Sequence, residues 1–228
     1  MVFYCSLCGA EMREECRTQT CSYCGTEEEC DWLCPNGHFV CEECRTAEPA
    51  EVIERACRAT TSPDPIGIAD LLMKHPFFAA YGPEHHLLVA PVILAALRNQ
   101  GHPVREDAIR SALRRMRDIP VGVCGTRGDC GACVGLGCAV SLLTNATFRS
   151  DRERSLALRA TARALARVAT LGGPRCCKQS VYATLQTTVE FVRDELGIAL
   201  AVPEVIRCPF SSLAEECKQG RCAYFPTG

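Results

Sequence analysis

The first 44 residues hold four paired metal-ligand signatures and very little with which to build a core. Two copies of C-x-x-C-G, CSLCG (residues 5–9) and CSYCG (21–25), are followed by CPNGHFVCEEC (34–44). The glycine after each second cysteine permits the tight turn that aims backbone N–H groups at sulfur, as in a zinc knuckle. Cys5, Cys8, Cys21, Cys24, Cys34, His38, Cys41 and Cys44 make eight ligands in four pairs, enough for two tetrahedral zinc ions. With so little apolar content nearby, metal has to stabilise this segment. The simplest pairing gives Cys5, Cys8, Cys21 and Cys24 to one ion and Cys34, His38, Cys41 and Cys44 to the other. A cross-brace that interleaves the pairs is the alternative. Cys16, Cys30 and Cys57 are left over, Cys30 being a candidate substitute for Cys34.

Nineteen cysteines in all is an odd and very large number. The start MVFYCSLCGAEM lacks the basic and apolar regions of an export signal, so a cytoplasmic location is expected. In a reducing compartment, dense CxxC pairs read as metal ligands or redox thiols rather than disulfides. The longest apolar run, residues 87–97, is too short to cross a bilayer and contains Pro91, so no membrane partner is expected. A net charge of −2 gives no global attraction to nucleic acid, and the aromatic interleaving of a single-strand binder is missing. The arginine stripes Arg159, Arg163, Arg167 and Arg110, Arg114, Arg117 read as solvated helix faces.

With 228 residues and 47% apolar content the chain can bury a core. TTSPDP (60–65) reads as a linker. The expected architecture is mainly α: a small zinc-binding module over 1–58, then an α-helical bundle domain over 64–228. A short helix is expected over 45–59, and further helices over 66–74, 84–99, 105–117, 131–145, 151–171 and 174–196. An extended piece over 200–206 and an irregular tail follow.

Within the helical part, GGPRCCKQS (172–180) reads as the working centre. Gly172 ends one helix, Pro174 is preset for the first turn of the next, and Cys176 and Cys177 fall in that turn. There, unpaired N–H groups, Arg175 and Lys178 favour thiolates, which are nucleophiles or soft-metal ligands. Neighbouring helical side chains diverge by about 100°, so one cysteine is expected to ligate while the other, Cys177 by preference, stays reactive. Residues 121–141 set Cys124, Cys130, Cys133 and Cys138 among five glycines, which let the backbone approach either a buried cluster or a crossing helix. The tail adds Cys208, Cys217 and Cys222. His85 and His86 share a first turn, so at most one joins a deeper site; His86 is the candidate for proton transfer.

Taken together, the HH pair, CGTRGDCGACVG, GGPRCCKQS and the CPF…EEC…RC ending resemble an uncharacterised family of cysteine-rich proteins from anaerobic bacteria and archaea, often encoded near or fused to radical-SAM enzymes. The resemblance covers nearly the whole chain. It implies matching positions at Cys124, Cys130, Cys176, Cys177, Cys208, Cys217 and Cys222, with His85 and His86, and a radical-SAM or other redox partner. Cys133 and Cys138 fall outside it, and it implies no reaction. CPNGHFVCEEC also resembles the middle of a RING finger, but its histidine-bearing pair stands third rather than second.

Dispersal of the later cysteines over three segments points to a folded-over iron–sulfur site of the 4Fe–4S type, its ligands drawn from Cys124, Cys130, Cys176, Cys208, Cys217 and Cys222. An open iron beside a reactive thiolate suits sulfur transfer, desulfuration or electron delivery to a partner enzyme of an anaerobe. The rival expectation is a non-catalytic, all-zinc accessory scaffold or metallochaperone.

Overall fold

The computed structural model describes residues 2–226. Strands β1 (Arg13–Thr20) and β2 (Glu27–Leu33) pair antiparallel, with Arg13 opposite Leu33, Thr20 opposite Glu27 and a register shift between Glu14 and Arg17. Both strands are largely exposed, so the hairpin lacks the apolar alternation by which strands are read from sequence. Its loop is the second C-x-x-C-G turn, and its open ends carry the first turn and Cys34.

Two helices, α1 (Glu42–Thr46) and α2 (Pro49–Ala59), stand where one was expected. Pro49 is the reason: it is preset for the first turn of α2 and drives Glu48 to extended backbone (φ −64°, ψ 153°). The segment before α3 (Pro65–Met73) is tied down rather than loose. Arg98 donates to the carbonyls of Cys57 (2.9 Å) and Thr60 (3.1 Å), and Asn99 to those of Thr60 and Ser62.

At the centre lies α4 (Glu84–Asn99), buried without interruption from Leu88 to Leu97. It is wrapped by α2, α3, α5 (Ala108–Met116), α7 (Gly131–Leu143) and α9 (Cys177–Leu196). Each fully buried leucine, valine or isoleucine there contributes about 1.5–3 kcal/mol, so this part of the fold has a core independent of metal. The short α6 (Val123–Thr126) precedes α7, and α8 (Arg152–Leu171) packs on α7 and α9.

The glycines of α7 answer the choice between cluster and crossing helix. A Cβ on Gly131 would stand 2.2 Å from the His86 ring, one on Gly135 2.9 Å from Val89, and one on Gly137 2.1 Å from Thr161. They serve close crossings with α4 on one side and α8 on the other. The arginine stripe is likewise no free face: Arg159 pairs with Glu195 (2.7 Å), Arg163 with Glu190 (3.2 Å) and Asp194 (3.0 Å), and Arg167 with Glu190 (2.5 Å), all between α8 and α9.

The expected extended piece over 200–206 forms no strand. Beyond it the tail, with single 3₁₀ turns at Ser211–Leu213 and Gln219–Arg221, lies against α9 and the end of α8. Lys218 pins it by donating to Leu171 O (2.7 Å) and Gly172 O (3.0 Å), carbonyls that α8 leaves open. Among the described residues, no helix is long and apolar enough to cross a membrane.

Candidate metal centres

Antiparallel pairing decides which ligands meet. Residues before β1 are brought beside residues after β2, while the hairpin loop is carried to the other end. Cys5, Cys8, Cys34 and His38 therefore form one tetrad, and Cys21, Cys24, Cys41 and Cys44 the other, each with its ligand atoms within 4.8 Å of one another. The sequential pairing is overturned in favour of the interleaved one.

The two C-x-x-C-G turns are built alike. Gly9 and Gly25 adopt φ of +71° and +76° and donate to the carbonyls of Cys5 (2.8 Å) and Cys21 (2.9 Å). Within the tetrads, Cys8 Sγ lies 3.5 Å from Cys34 Sγ, Cys24 Sγ 3.6 Å from Cys41 Sγ, and His38 Nδ1 3.7 Å from both Cys5 and Cys34 Sγ. A tetrahedral ion with metal–sulfur bonds of about 2.3 Å separates its sulfurs by about 3.8 Å, so both sites fit one small ion.

Donors of the kind that stabilise thiolates surround them. Asn36 gives its side-chain amide to Cys8 (3.3 Å) and its backbone N–H to Cys34 (3.4 Å), Cys41 N–H reaches Cys21 (3.5 Å), and Cys44 N–H reaches Cys41 (3.4 Å). The Asn36 amide, then the Ala10 N–H, pull Cys8 down to about 6, whereas burial pushes Cys5 and Cys41 up to about 11. Thiols this close cannot all ionise beside one another without a cation, and a cation is what the donor set is shaped to take. The protein thus carries two sites able to hold metal. The second is docked on the helical part, with His75 Nε2 on Cys44 O (3.0 Å) and buried Tyr23 donating to Leu71 O (3.4 Å).

Cys16 and Cys30 lie on the hairpin strands outside both tetrads, and Cys57 is fully buried in α2, where burial holds its thiol up at about 12. Cys138, half-buried on α7, is pushed up to about 11, also by burial.

The six cysteines expected to hold a cluster divide between two cavities. Cys176, Cys208, Cys217 and Cys222 line one, together with Tyr182 and Gln179. Cys124 and Cys130 line the other, together with Cys177, His86 and Arg175. Adjacent Cys176 and Cys177 thus face different spaces.

Helix α9 starts later than expected. Pro174 precedes it, and Cys176 is its N-cap, the sulfur accepting Gln179 N–H at 3.4 Å. Burial outweighs the helix terminus here: it raises Cys176 against the pull of the Gln179 and Lys178 N–H groups, and raises Cys177 against the Arg175 charge. Neither thiol is the low-pKa group expected from position alone. Arg175 is turned over the Tyr81 ring, 4.6 Å from its centroid.

Three sulfurs of the first cavity accept an N–H: Cys176 takes Gln179 N, Cys222 the Gln179 side chain (3.6 Å) and Cys217 takes Gln219 N (3.4 Å). Burial raises Cys208 to about 11 against the pull of the Phe210 N–H. Beside them Lys178, buried, donates to Ala79 O (2.5 Å), Phe78 O (3.4 Å) and His85 Nε2 (3.2 Å). His85 Nδ1 faces Gly82 O (3.2 Å), so the neutral ring donates there and offers its other nitrogen to the lysine. Burial, then the Lys178 charge, hold His85 down at about 3. Every hydrogen-bond partner of the lysine is therefore neutral. Lys178 and Gln179 sit inside the motif read as central, but their burial was not visible in it. Tyr182, one turn on, donates to Asp70 and closes the cavity wall.

No curated protein and no solved structure matches the chain. A family model does match residues 53–225, beginning in α2, spanning α3 to α9 and the tail, and leaving both tetrads outside. The chain belongs to that family, one of unknown function designated DUF5714.

Proposed function

We propose that the protein holds two structural zinc ions in its N-terminal tetrads and a 4Fe–4S cluster on Cys176, Cys208, Cys217 and Cys222, and that it delivers electrons to a redox partner enzyme. The observation that carries this reading is the ring of four sulfurs, three of them accepting an N–H, around one cavity beside a buried lysine whose hydrogen-bond partners are all neutral. Neutral thiols have no need of such donors, whereas metal-bound thiolates do. An all-thiolate cluster carries net negative charge, which would join Glu84 in favouring the charged form of a lysine whose burial lowers its pKa.

Spacing favours a cluster over a single ion. Among the described residues, only the N-terminal groups bring three or more ligand atoms within 4.8 Å; the ring is wider, as suits thiolates on separate irons. The enclosed space is ≈ 30 Å³, room for a water or two. Seating a cluster therefore needs the tail to yield, and the tail is the element able to do so, being irregular backbone with two single turns. When bound, such a cluster supplies one-electron chemistry. Four cysteines for four irons leave no open position, which supports electron delivery over sulfur transfer. The surrounding residues hold the thiolates, exclude water and fix the local charge.

Anaerobic reconstitution tests this directly. Iron and labile sulfide, with a broad brown absorbance, are expected in the wild type and lost in Cys176→Ser, Cys208→Ser, Cys217→Ser and Cys222→Ser. Cys124→Ser keeps full iron, and Lys178→Met keeps the fold while retaining less iron after gel filtration. Colourless protein containing zinc alone would establish the accessory-scaffold alternative instead.

A further inference from the structure

The second thiol cavity has its own chemistry. Cys130 is the N-cap of α7 and Cys133 lies in its first turn, a C-x-x-C step at a helix N-terminus. This spacing brings two side chains onto one face within the Cα separation a disulfide requires, about 4.4–6.8 Å. Around the Cys130 sulfur stand Cys133, the N–H groups of Cys133 and Ala132 and the Ser180 hydroxyl, none of them closing a side-chain cap. Cys133 is fully buried and receives the Thr184 hydroxyl at 3.6 Å. The Cys133 thiol first, and the N–H and hydroxyl groups with it, favour the charged form of Cys130 against its burial, while Cys130 and burial drive Cys133 the other way. The pair is thus asymmetric, with Cys130 the readier of the two to lose its proton.

Access is narrow but present. Cys130 is 8% exposed and lines a cavity of ≈ 20 Å³ whose wall includes Gly82 and Gly122, which place no side chains there, and the exposed Cys124. A flat protein surface does not reach such a recessed sulfur; a slender molecule does.

We propose that Cys130 and Cys133 are a redox-active dithiol that reduces a low-molecular-weight disulfide, Cys130 attacking and Cys133 resolving. The Cys130 thiolate attacks one sulfur of RSSR; the S–S bond breaks, and the departing thiolate leaves as RSH after taking a proton. Cys133, giving up its proton, then attacks Cys130 sulfur, breaking the mixed disulfide and releasing the second RSH. Two electrons pass from the two cysteines to the disulfide, and the protein is left with a Cys130–Cys133 bond. This step is independent of any metal at the other cavity.

The tryptic peptide spanning residues 128–149 carries Cys130, Cys133 and Cys138, so one fragment contains the pair and an internal control. Full-length protein equilibrated with oxidised glutathione is expected to show a Cys130–Cys133 loop in that peptide, with Cys138 free. Between pH 8 and pH 6, Cys130 alkylation is expected to fall far less than the about 75-fold loss of thiolate shown by a thiol of pKa 8.5. Cys133→Ser should accumulate one glutathione on Cys130. A bond from Cys130 to Cys138, Cys124 or Cys177 in the wild type would overturn the assignment. So would Cys130 labelling that falls in parallel with Cys138.

Discussion

In the first 44 residues, groups of four ligands converge to within 4.8 Å on a largely exposed hairpin; in the helical part, four sulfurs stand around a cavity walled by a packed core. The N-terminal ligands come in tight local pairs, and the fold between the pairs is one two-stranded sheet, which is marginal by itself. The later cysteines come from the N-cap of α9 and from a tail pinned by Lys218, and the core around α4 owes nothing to them. The first region has little but its tetrads, able to hold metal, to fix its fold. In the second, packing alone makes the cavity, with buried Lys178 in its wall.

The largest effect that can break this comparison comes from chelation. Structural zinc contributes an apparent 10–16 kcal/mol in small domains. If the tetrads hold zinc as proposed, stripping it brings the amides of residues 4–44 to near-unfolded hydrogen-exchange rates, while those of α4 and α9 stay protected. Loss of protection throughout would mean that the docking contacts, His75 on Cys44 and Tyr23 on Leu71, make one cooperative unit of the two regions.

Acid should separate them by a smaller amount and by different groups. The tetrads lose metal as their ligands protonate. In the core, His85 is held neutral with a pKa near 3 against 6.5 when unfolded. The unfolded chain therefore binds the extra proton, so the stability His85 confers is present above pH 6.5 and is lost as pH falls toward 3, by about 1.4 kcal/mol per pH unit. Asp70 acts oppositely: burial raises it to about 6, and the folded state holds its proton as pH rises from 3.8. A difference measurement isolates the histidine. His85→Gln keeps an acceptor for Lys178, and denaturant melts of zinc-stripped wild type and variant should converge as pH drops from 6.5 to 4. A constant gap would mean that His85 is not held neutral.

Much of the metal-binding half was legible because its chemistry is local: the glycine after each C-x-x-C is needed by the turn it makes, and the ligand types follow. Pairing was not legible, since it depends on a hairpin whose strands, rich in Glu, Arg and Thr, carry no apolar period. The helices were legible from their buried stripes, with α4 placed residue for residue. Positional arguments failed where tertiary burial competed with them. At Cys176 and Cys177 the helix terminus and the neighbouring charges pull the thiols down, but both are half-buried and burial prevails. At Cys130 the balance reverses, because the neighbouring Cys133 thiol and the α7 N–H groups outweigh burial. The division of six cysteines between two cavities was hidden for a simpler reason: Cys176 meets the tail while Cys177 meets His86 and the start of α7, and the local sequence names neither neighbour.

The smallest effect bears on how the helical half stands without metal. Helix α8 buries only Leu156, Ala160 and Ala164, a thin apolar seam, and its arginines reach across to Glu190, Asp194 and Glu195 of α9. Arg163 has two of these contacts, yet its side chain is 39% exposed and so are its partners in similar degree. Exposed pairs of this kind contribute about 0–1 kcal/mol, because water screens the charges and ordering long side chains costs entropy. Arg163→Ala is therefore expected to lower the midpoint of thermal unfolding by no more than about 4 °C, with the difference shrinking at high salt. A loss of several kcal/mol would place the holding of α8 in its charges rather than in the alanines that let it approach α7 and α9. The self-sufficiency of the core would then depend on ionic strength, and the contrast with the metal-dependent hairpin would narrow.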